Sequence, residues 1–305
     1  MITEFMNLKT SLSKIENRDK VKILLHVGTP KTGTTSIQNF LYKNKKQLYK
    51  NGYLYECLEK NEQKHQWMIT ALLNEDFVFF TNKLIDYFQS ADENTHTLIL
   101  SSEGIFNHWY DFSSKSKKFL DMLASVFKIE VYCWLRNQVS YVKSYYQQVL
   151  KNPQMPLVQC YGKDISVDDL LTDEWFLRHL NYYAFLNDCS VIFGRENIKV
   201  FKYSNEMIRE FMNSLNIEMS YKKEIRENSS LNSMSCELLR IINRKNLSDI
   251  DKNIVLNHLY TINTITNNYA IETLINEKTI NKISNLVKEK NILLETEYKI
   301  DLELR

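Results

Sequence analysis

Two of the chain's six glycines and one of its three prolines fall in one six-residue stretch, Gly28-Thr29-Pro30-Lys31-Thr32-Gly33. At average usage a chain of 305 residues would hold about 21 glycines and about 15 prolines. Such scarcity excludes a turn-dense β-sandwich, a collagen-like repeat and a Gly/Pro-rich disordered chain. It favours a helix-rich globular protein with little punctuation, in which the position of each glycine carries information.

The stretch is flanked by two recognisable patterns. Val21-Lys22-Ile23-Leu24-Leu25-His26-Val27 is a short, mostly apolar run ending at a glycine, which suits a buried strand. After it, Ile37, Phe40, Leu41 and Leu48 recur at helical spacing. The unit is therefore strand, glycine-containing loop, helix. Further along, residues 62–90 read as helix. Thr97–Ser101 reads as a second buried strand that ends at Ser102-Glu103-Gly104. A helix marked by Phe119, Met122, Leu123 and Val126 leads into a strand over Ile129–Leu135, which stops at Arg136. A helix with Val142, Tyr145, Tyr146 and Val149 follows; residues 174–188 read as helix, and Ser190–Phe193 and Ile198–Phe201 as strands. Strands alternating with helices predict an α/β protein, a P-loop-like three-layer fold with a central, mainly parallel sheet flanked by helices.

Past residue 231 only helical spacing remains (Leu231, Met234, Leu238, Ile241; Val255, Leu259, Ile262; Ile280, Ile283, Val287). The expected organisation is a polar, loose arm over 1–20, an α/β core over 21–230 and a helical extension over 231–305 packed on that core, together one globular unit. With 44% hydrophobic residues the chain can bury a sizeable core, and a net charge of 39 − 37 = +2 argues against a dedicated nucleic-acid binder. The five cysteines (Cys57, Cys133, Cys160, Cys189, Cys236) are odd in number, far apart and without metal-ligand spacing, as expected of reduced thiols. No run reaches the roughly 18 apolar residues of a membrane span and residues 1–20 hold no apolar signal region, so a cytoplasmic protein without a transmembrane segment is expected.

A strand, a glycine loop and a helix N-terminus together make an anion site, because backbone N–H groups converge there and the helix dipole favours negative charge. A Walker A loop places its lysine directly after the second glycine. Here that position is Thr34, and the lysine, Lys31, sits inside the loop. Pro30-Lys31-Thr32-Gly33-Thr34-Thr35-Ser36 resembles the 5′-phosphosulfate loop of the sulfotransferases that use 3′-phosphoadenosine 5′-phosphosulfate (PAPS), most nearly the bacterial-type carbohydrate sulfotransferases. That family also carries an arginine at a strand end and a serine eight residues later for the 3′-phosphate. Arg136 and Ser144 match this pattern, with Ser140 on the same helical face. Arg226-Glu227-Asn228-Ser229-Ser230-Leu231 resembles the family's late polar loop, with Arg226 as a 3′-phosphate partner; Asn228–Ser230 also read as an N-cap for a helix near Leu231. The resemblance covers about 21–231.

What it implies is in-line transfer of the sulfuryl group to an acceptor hydroxyl, leaving adenosine 3′,5′-bisphosphate and requiring no metal. Lys31 would stabilise the leaving phosphate. Glu103, just past the carboxyl end of a strand, is the expected base, with a helix-capping role as its structural alternative; His65 is the rival base and His108 the third. The sequence carries no lysine adjacent to Glu103 of the kind cytosolic members place near their catalytic histidine; Ser101 and Ser102 occupy those places. Trp67, Trp109, Tyr110 and Trp175 lie outside the expected strands, and Trp109 with Tyr110 are the candidate wall for a glycan or glycolipid acceptor. The C-terminal helices are left as a homodimer face or as one wall of the acceptor cleft. Two other readings stay open: a small-molecule or nucleotide kinase with an aberrant Walker A loop, for which no Walker B-type aspartate ends a strand, and a non-catalytic nucleotide-binding scaffold.

Overall fold

Short, mostly apolar runs form five strands in the computed structural model, which describes residues 2–57, 62–155, 158–218, 231–245, 247–266 and 274–303. They are β1 (Lys22–His26), β2 (Tyr53–Leu54), β3 (Thr97–Ser101), β4 (Ile129–Leu135) and β5 (Ile198–Lys202). All pair in parallel, in the order β2-β3-β1-β4-β5, so β1 lies at the centre. β3 and β4 are buried along their whole length, as expected of strands flanked by helices. The fold is the α/β, P-loop-like architecture that the strand and helix patterns predict.

The chain divides into two compact units. The first comprises Met1–Leu135, Tyr182–Tyr221 and Thr296–Ile300, and holds the whole sheet. Its helices include α1 (Ile2–Ser13), α2 (Thr34–Lys43), α3 (Trp67–Leu73), α4 (Phe77–Gln89), α5 (Ser114–Ala124), α6 (Tyr182–Phe193) and α7 (Met207–Ser214). Ile37, Phe40 and Leu41 of α2 join Met207 and Phe211 of α7 over Leu24, Tyr132 and Trp134 of the sheet in one core cluster.

Three expectations are corrected here. Residues 2–13 are helix rather than loose arm: Phe5, Leu8 and Leu12 fall on one face, and Phe5 meets the rings of Phe77 and Phe119 at 5.4 and 6.1 Å. The polar composition hid a stripe only three residues wide. Residues 62–90 are not one helix, because Glu75 takes a left-handed φ of 57° and the Asp76 carboxylate caps a new helix by accepting from Phe79 N–H at 3.0 Å. Ser190–Phe193 close α6 instead of forming a strand. Phe185, Leu186, Cys189 and Phe193 supply its buried face while Val191 stays exposed, and four apolar residues are too few to reveal a period.

The second unit comprises Arg136–Asn181, Lys222–Glu295 and Asp301–Arg305. The division therefore falls elsewhere than at 230/231: residues 136–181 group with the C-terminal helices. Within it, α8 (Gln138–Lys151), α9 (Ser233–Arg244), α10 (Asp249–Thr266) and the larger part of α11 (Glu277–Tyr298) bury Tyr145, Tyr146, Val149, Leu150, Leu239, Leu259, Ile283 and Val287 in one cluster. Asp164 bridges Arg240 and Arg244 at 3.0 and 2.7 Å. Among the described residues, no helix is long and apolar enough to cross a membrane.

Candidate active site

The loop after β1 needs glycine at both ends. Gly28 has φ 24°, and a Cβ there would lie 2.4 Å from the Thr34 methyl. Gly33, the left-handed N-cap residue of α2 with φ 72°, would press a Cβ to within 2.3 Å of Met207 Sδ. Between them Lys31 also holds a left-handed φ of 64°, a costly conformation for a residue with a Cβ. Thr29 pins the loop to the sheet, its N–H and hydroxyl both donating to the Trp134 carbonyl at 3.3 and 2.9 Å. The Thr32 hydroxyl donates to the Thr29 carbonyl. Ser36 N–H turns back to the Gly33 carbonyl at 2.8 Å, whereas the N–H groups of Gly33, Thr34 and Thr35 open the helix with no acceptor inside it. Pro30, Thr32 and Thr34 are buried, Lys31 and Ser36 half-buried and Thr35 exposed. The result is an electropositive helix N-terminus of the kind that suits a tetrahedral anion.

Parallel register sets His26, the last residue of β1, directly beside Ser101, the last residue of β3. Their side chains meet, His26 Nδ1 to Ser101 Oγ, at 2.8 Å. Gln38, one turn into α2 and buried, donates from Nε2 to Ser101 Oγ at 3.2 Å and to Glu103 Oε2 at 3.0 Å. The other Glu103 oxygen, Oε1, faces Lys64 Nζ at 3.4 Å. Burial works against the Glu103 charge, but the Lys64 ammonium and the Gln38 amide outweigh it and hold the carboxyl below its ordinary range. The lysine that the sequence does not place next to Glu103 is thus supplied from 39 residues upstream.

His65 explains how Lys64 arrives. Its backbone N–H donates to the Ser101 carbonyl at 2.9 Å, and its ring Nδ1 accepts from Ser101 N–H at 3.0 Å. Its Nε2–H donates to the Glu56 carbonyl at 2.8 Å. Both ring nitrogens are committed to backbone, and complete burial lowers its pKa to about 4 against those two hydrogen bonds. His65 is a clamp on the end of β3 and has no atom left to act as a base, which corrects its reading as the rival base. His108 pairs with Asp111 at 2.9 Å, outside this network.

The aromatic wall is corrected as well. Trp109 is fully buried, donates to Asp188 at 3.1 Å and packs edge-on against Phe185, so it belongs to the core. Trp67 is buried among Phe80 and Tyr87. Tyr110 is half-buried beneath Lys117 Nζ, 5.6 Å from the ring centre. In the second unit, half-buried Trp175 lies against His179 with ring centres 4.1 Å apart.

Also in the second unit, half-buried Arg136 directly follows the last residue of β4. Asn137 caps α8 by accepting from Ser140 N–H at 3.1 Å, and half-buried Ser144 lies one turn beyond Ser140. Arg226 and Asn228–Ser230 lie outside the described residues. The helix after them is capped by Asn232, whose side chain accepts from Ser235 N–H at 2.9 Å, rather than by Asn228–Ser230.

Sequence reasoning missed His26, Gln38 and Lys64. His26 is 1% exposed; burial lowers its pKa to about 4, with the Glu103 charge opposing, and its Nε2 has no hydrogen-bond partner among the described residues. A polar residue at the end of a buried strand, and a glutamine among the buried positions of α2, were the available signals.

No protein-family model matches the sequence. An uncharacterised protein of Archaeoglobus fulgidus is 28% identical over 171 residues, covering 53% of this chain and 43% of the relative, so the chain matches less than half of that protein's length. The crystal structure of a sulfotransferase from Alicyclobacillus acidocaldarius aligns with a TM-score of 0.43 at 12% identity, covering 74% of this chain and 94% of that one.

Proposed function

We propose that the chain is a PAPS-dependent O-sulfotransferase. One observation carries the reading: the helix that opens at the anion loop also grips, through Gln38, a carboxylate held ionised by a lysine. An anion cradle and a fixed base on one element are what sulfuryl transfer to a hydroxyl requires. The glycine loop and the His26 Nε2 beside it, unpartnered among the described residues, suit a phosphosulfate group.

Pro30, Lys31, Thr32, Gly33, Thr34, Thr35 and Ser36 would hold the 5′-phosphosulfate. Arg136, Ser144 and Arg226 are carried over from the family resemblance as 3′-phosphate partners. When bound, PAPS supplies an activated sulfuryl group whose departure leaves adenosine 3′,5′-bisphosphate. Glu103 accepts the proton of the acceptor hydroxyl as its oxygen bonds to sulfur. Lys31 neutralises charge on the phosphate oxygen released as the sulfur–oxygen bond breaks. Lys64 and Gln38 keep Glu103 ionised and aimed. The acceptor is read as a carbohydrate or glycolipid hydroxyl and the setting as cytoplasmic, the first on the resemblance and the second on the thiol pattern.

Calorimetric titration tests the cofactor: adenosine 3′,5′-bisphosphate should bind without Mg²⁺, and tight binding of Mg·ATP alone would overturn the reading in favour of a kinase. Transfer of labelled sulfate from PAPS to a glycan panel should be lost in Lys31→Ala and Glu103→Ala. Bisphosphate binding without transfer to any hydroxyl would leave the non-catalytic scaffold.

A further inference from the structure

A direction can be assigned to each hydrogen bond beneath the loop. Glu103 is held ionised, so its oxygens only accept, and the Gln38 group 3.0 Å away must be the amide NH₂. The same nitrogen lies 3.2 Å from Ser101 Oγ, which therefore accepts as well. Gln38 Nε2 and His26 Nδ1, the latter at 2.8 Å, are the side-chain neighbours of Ser101 Oγ among the described residues, and the hydroxyl proton is assigned to Nδ1. A neutral imidazole that accepts at Nδ1 carries its proton on Nε2. That Nε2–H is a donor with no acceptor among the described residues, in a side chain 99% buried, by the 1% exposure of His26.

Its surroundings are specific. Nε2 lies 3.2 Å from the point where a Cβ on Gly28 would sit; that point is 2.4 Å from the Thr34 methyl and 3.6 Å from Thr32 Oγ1. The Thr32 hydroxyl proton is already given to the Thr29 carbonyl. His26 Nε2 thus lies against the base of the anion loop, beside Gly28 and the Thr34 methyl. A buried donor without a partner is costly, and an anionic oxygen is the acceptor that offsets most of that cost.

We propose that His26 is a further anion-binding residue of the loop, donating from Nε2 to an oxygen on the 5′-phosphate side of the nucleotide. This rests on the sulfotransferase reading. Ser101 fixes the other end of the ring, so the anion and Glu103 become the two ends of one hydrogen-bonded chain running through His26, Ser101 and Gln38.

Nuclear magnetic resonance on the full chain with ¹⁵N-labelled histidine tests it without turnover. His26 should be the neutral Nε2–H tautomer, and its Nε2 signal should move on adding adenosine 3′,5′-bisphosphate but not adenosine 3′-monophosphate, which lacks the 5′ group. In calorimetry, His26→Asn, which keeps a polar atom near Ser101 and removes Nε2, should weaken bisphosphate binding about tenfold or more. His26→Gln, which reaches towards the Nε2 position, should recover part of it, and neither should alter binding of the 3′-monophosphate. An Nδ1–H tautomer, or an Nε2 signal indifferent to the bisphosphate, overturns the proposal even if no variant folds; wild-type affinity in His26→Asn overturns it as well. If the wild type binds no bisphosphate, the sulfotransferase reading falls by itself. The donor is then judged with inorganic phosphate, and an Nε2 signal unmoved by phosphate refutes it too.

Discussion

Replacing Lys64 with methionine removes the charge that keeps Glu103 ionised while preserving the length of the side chain. The ammonium lies 3.4 Å from Oε1, and the two side chains are 42% and 21% exposed. At that distance the attraction is about 1 kcal/mol with water-like screening and about 5 kcal/mol at the effective dielectric of a protein boundary. Lys64 is more than a third exposed, so the lower part of the range applies, about 1–2 kcal/mol. Burial already pushes this carboxyl up and Lys64 is the largest opposing influence, so the titration should move upward in Lys64→Met. Lys64→Arg should leave it nearly unchanged. The folded-state pKa is depressed, so the group contributes stability above its unfolded pKa and loses that contribution as pH falls through the lower folded value. In Lys64→Met that loss begins at higher pH, and the acid limb of kcat/KM shifts the same way. A ¹³C titration of the Glu103 carboxyl, which needs no acceptor, measures this directly. Titration of wild-type Glu103 at or above the ordinary carboxylate range, or an unchanged titration in Lys64→Met, would refute the electrostatic reasoning.

Gln38→Leu takes a donor from both Glu103 and Ser101; sulfuryl transfer should fall about 10- to 100-fold, the worth of a hydrogen bond to a charged group, with the acid limb again displaced upward. Gly33→Ala combines a left-handed backbone with a contact on the flexible end of Met207, and should cost about 2–3 kcal/mol and lower Tm by several degrees in a calorimetric scan. Adding Met207→Ala should relieve the contact but not the backbone strain. His65→Phe leaves Ser101 N–H and the Glu56 carbonyl unpaired and should cost about 2–4 kcal/mol in denaturant unfolding. A His65→Phe protein of wild-type stability but without turnover would return His65 to the role of base.

The strand, glycine loop and helix were legible because each rests on local physics: an apolar run, a left-handed N-cap glycine and a 3.6-residue stripe. Arg136 was legible as a strand end for the same reason. The errors arose where local pattern and tertiary packing diverge. The sparse face of α1 is apolar only at Phe5, Leu8 and Leu12, which a polar composition masks. Val191-Ile192-Phe193 has strand propensity, yet the helix begun at Tyr182 carries through it until Gly194, at φ 84°, ends the run. Trp109 suggested a sugar platform by its place after Glu103, but its indole donates to Asp188 inside the core. Glu103 was singled out by its place at a strand end together with the family resemblance; its partners were not, because none lies near it in the sequence.

That difference follows from how a parallel sheet builds a site. Adjacent parallel strands present their carboxyl ends at one edge, so His26 and Ser101 become neighbours although 75 residues separate them. α2 departs from the same edge, and its first full turn carries Gln38 back across it. The remaining member, Lys64, is delivered by His65, which binds Ser101 through both its main chain and its ring. The ionised state of Glu103 is therefore a property of register and clamping rather than of its immediate sequence. A change that loosens the His65 clamp should act on Glu103 through Lys64, and should raise the carboxyl titration in the direction that Lys64→Met does. A loosened clamp that left the titration in place would mean that Gln38 alone sustains the charge.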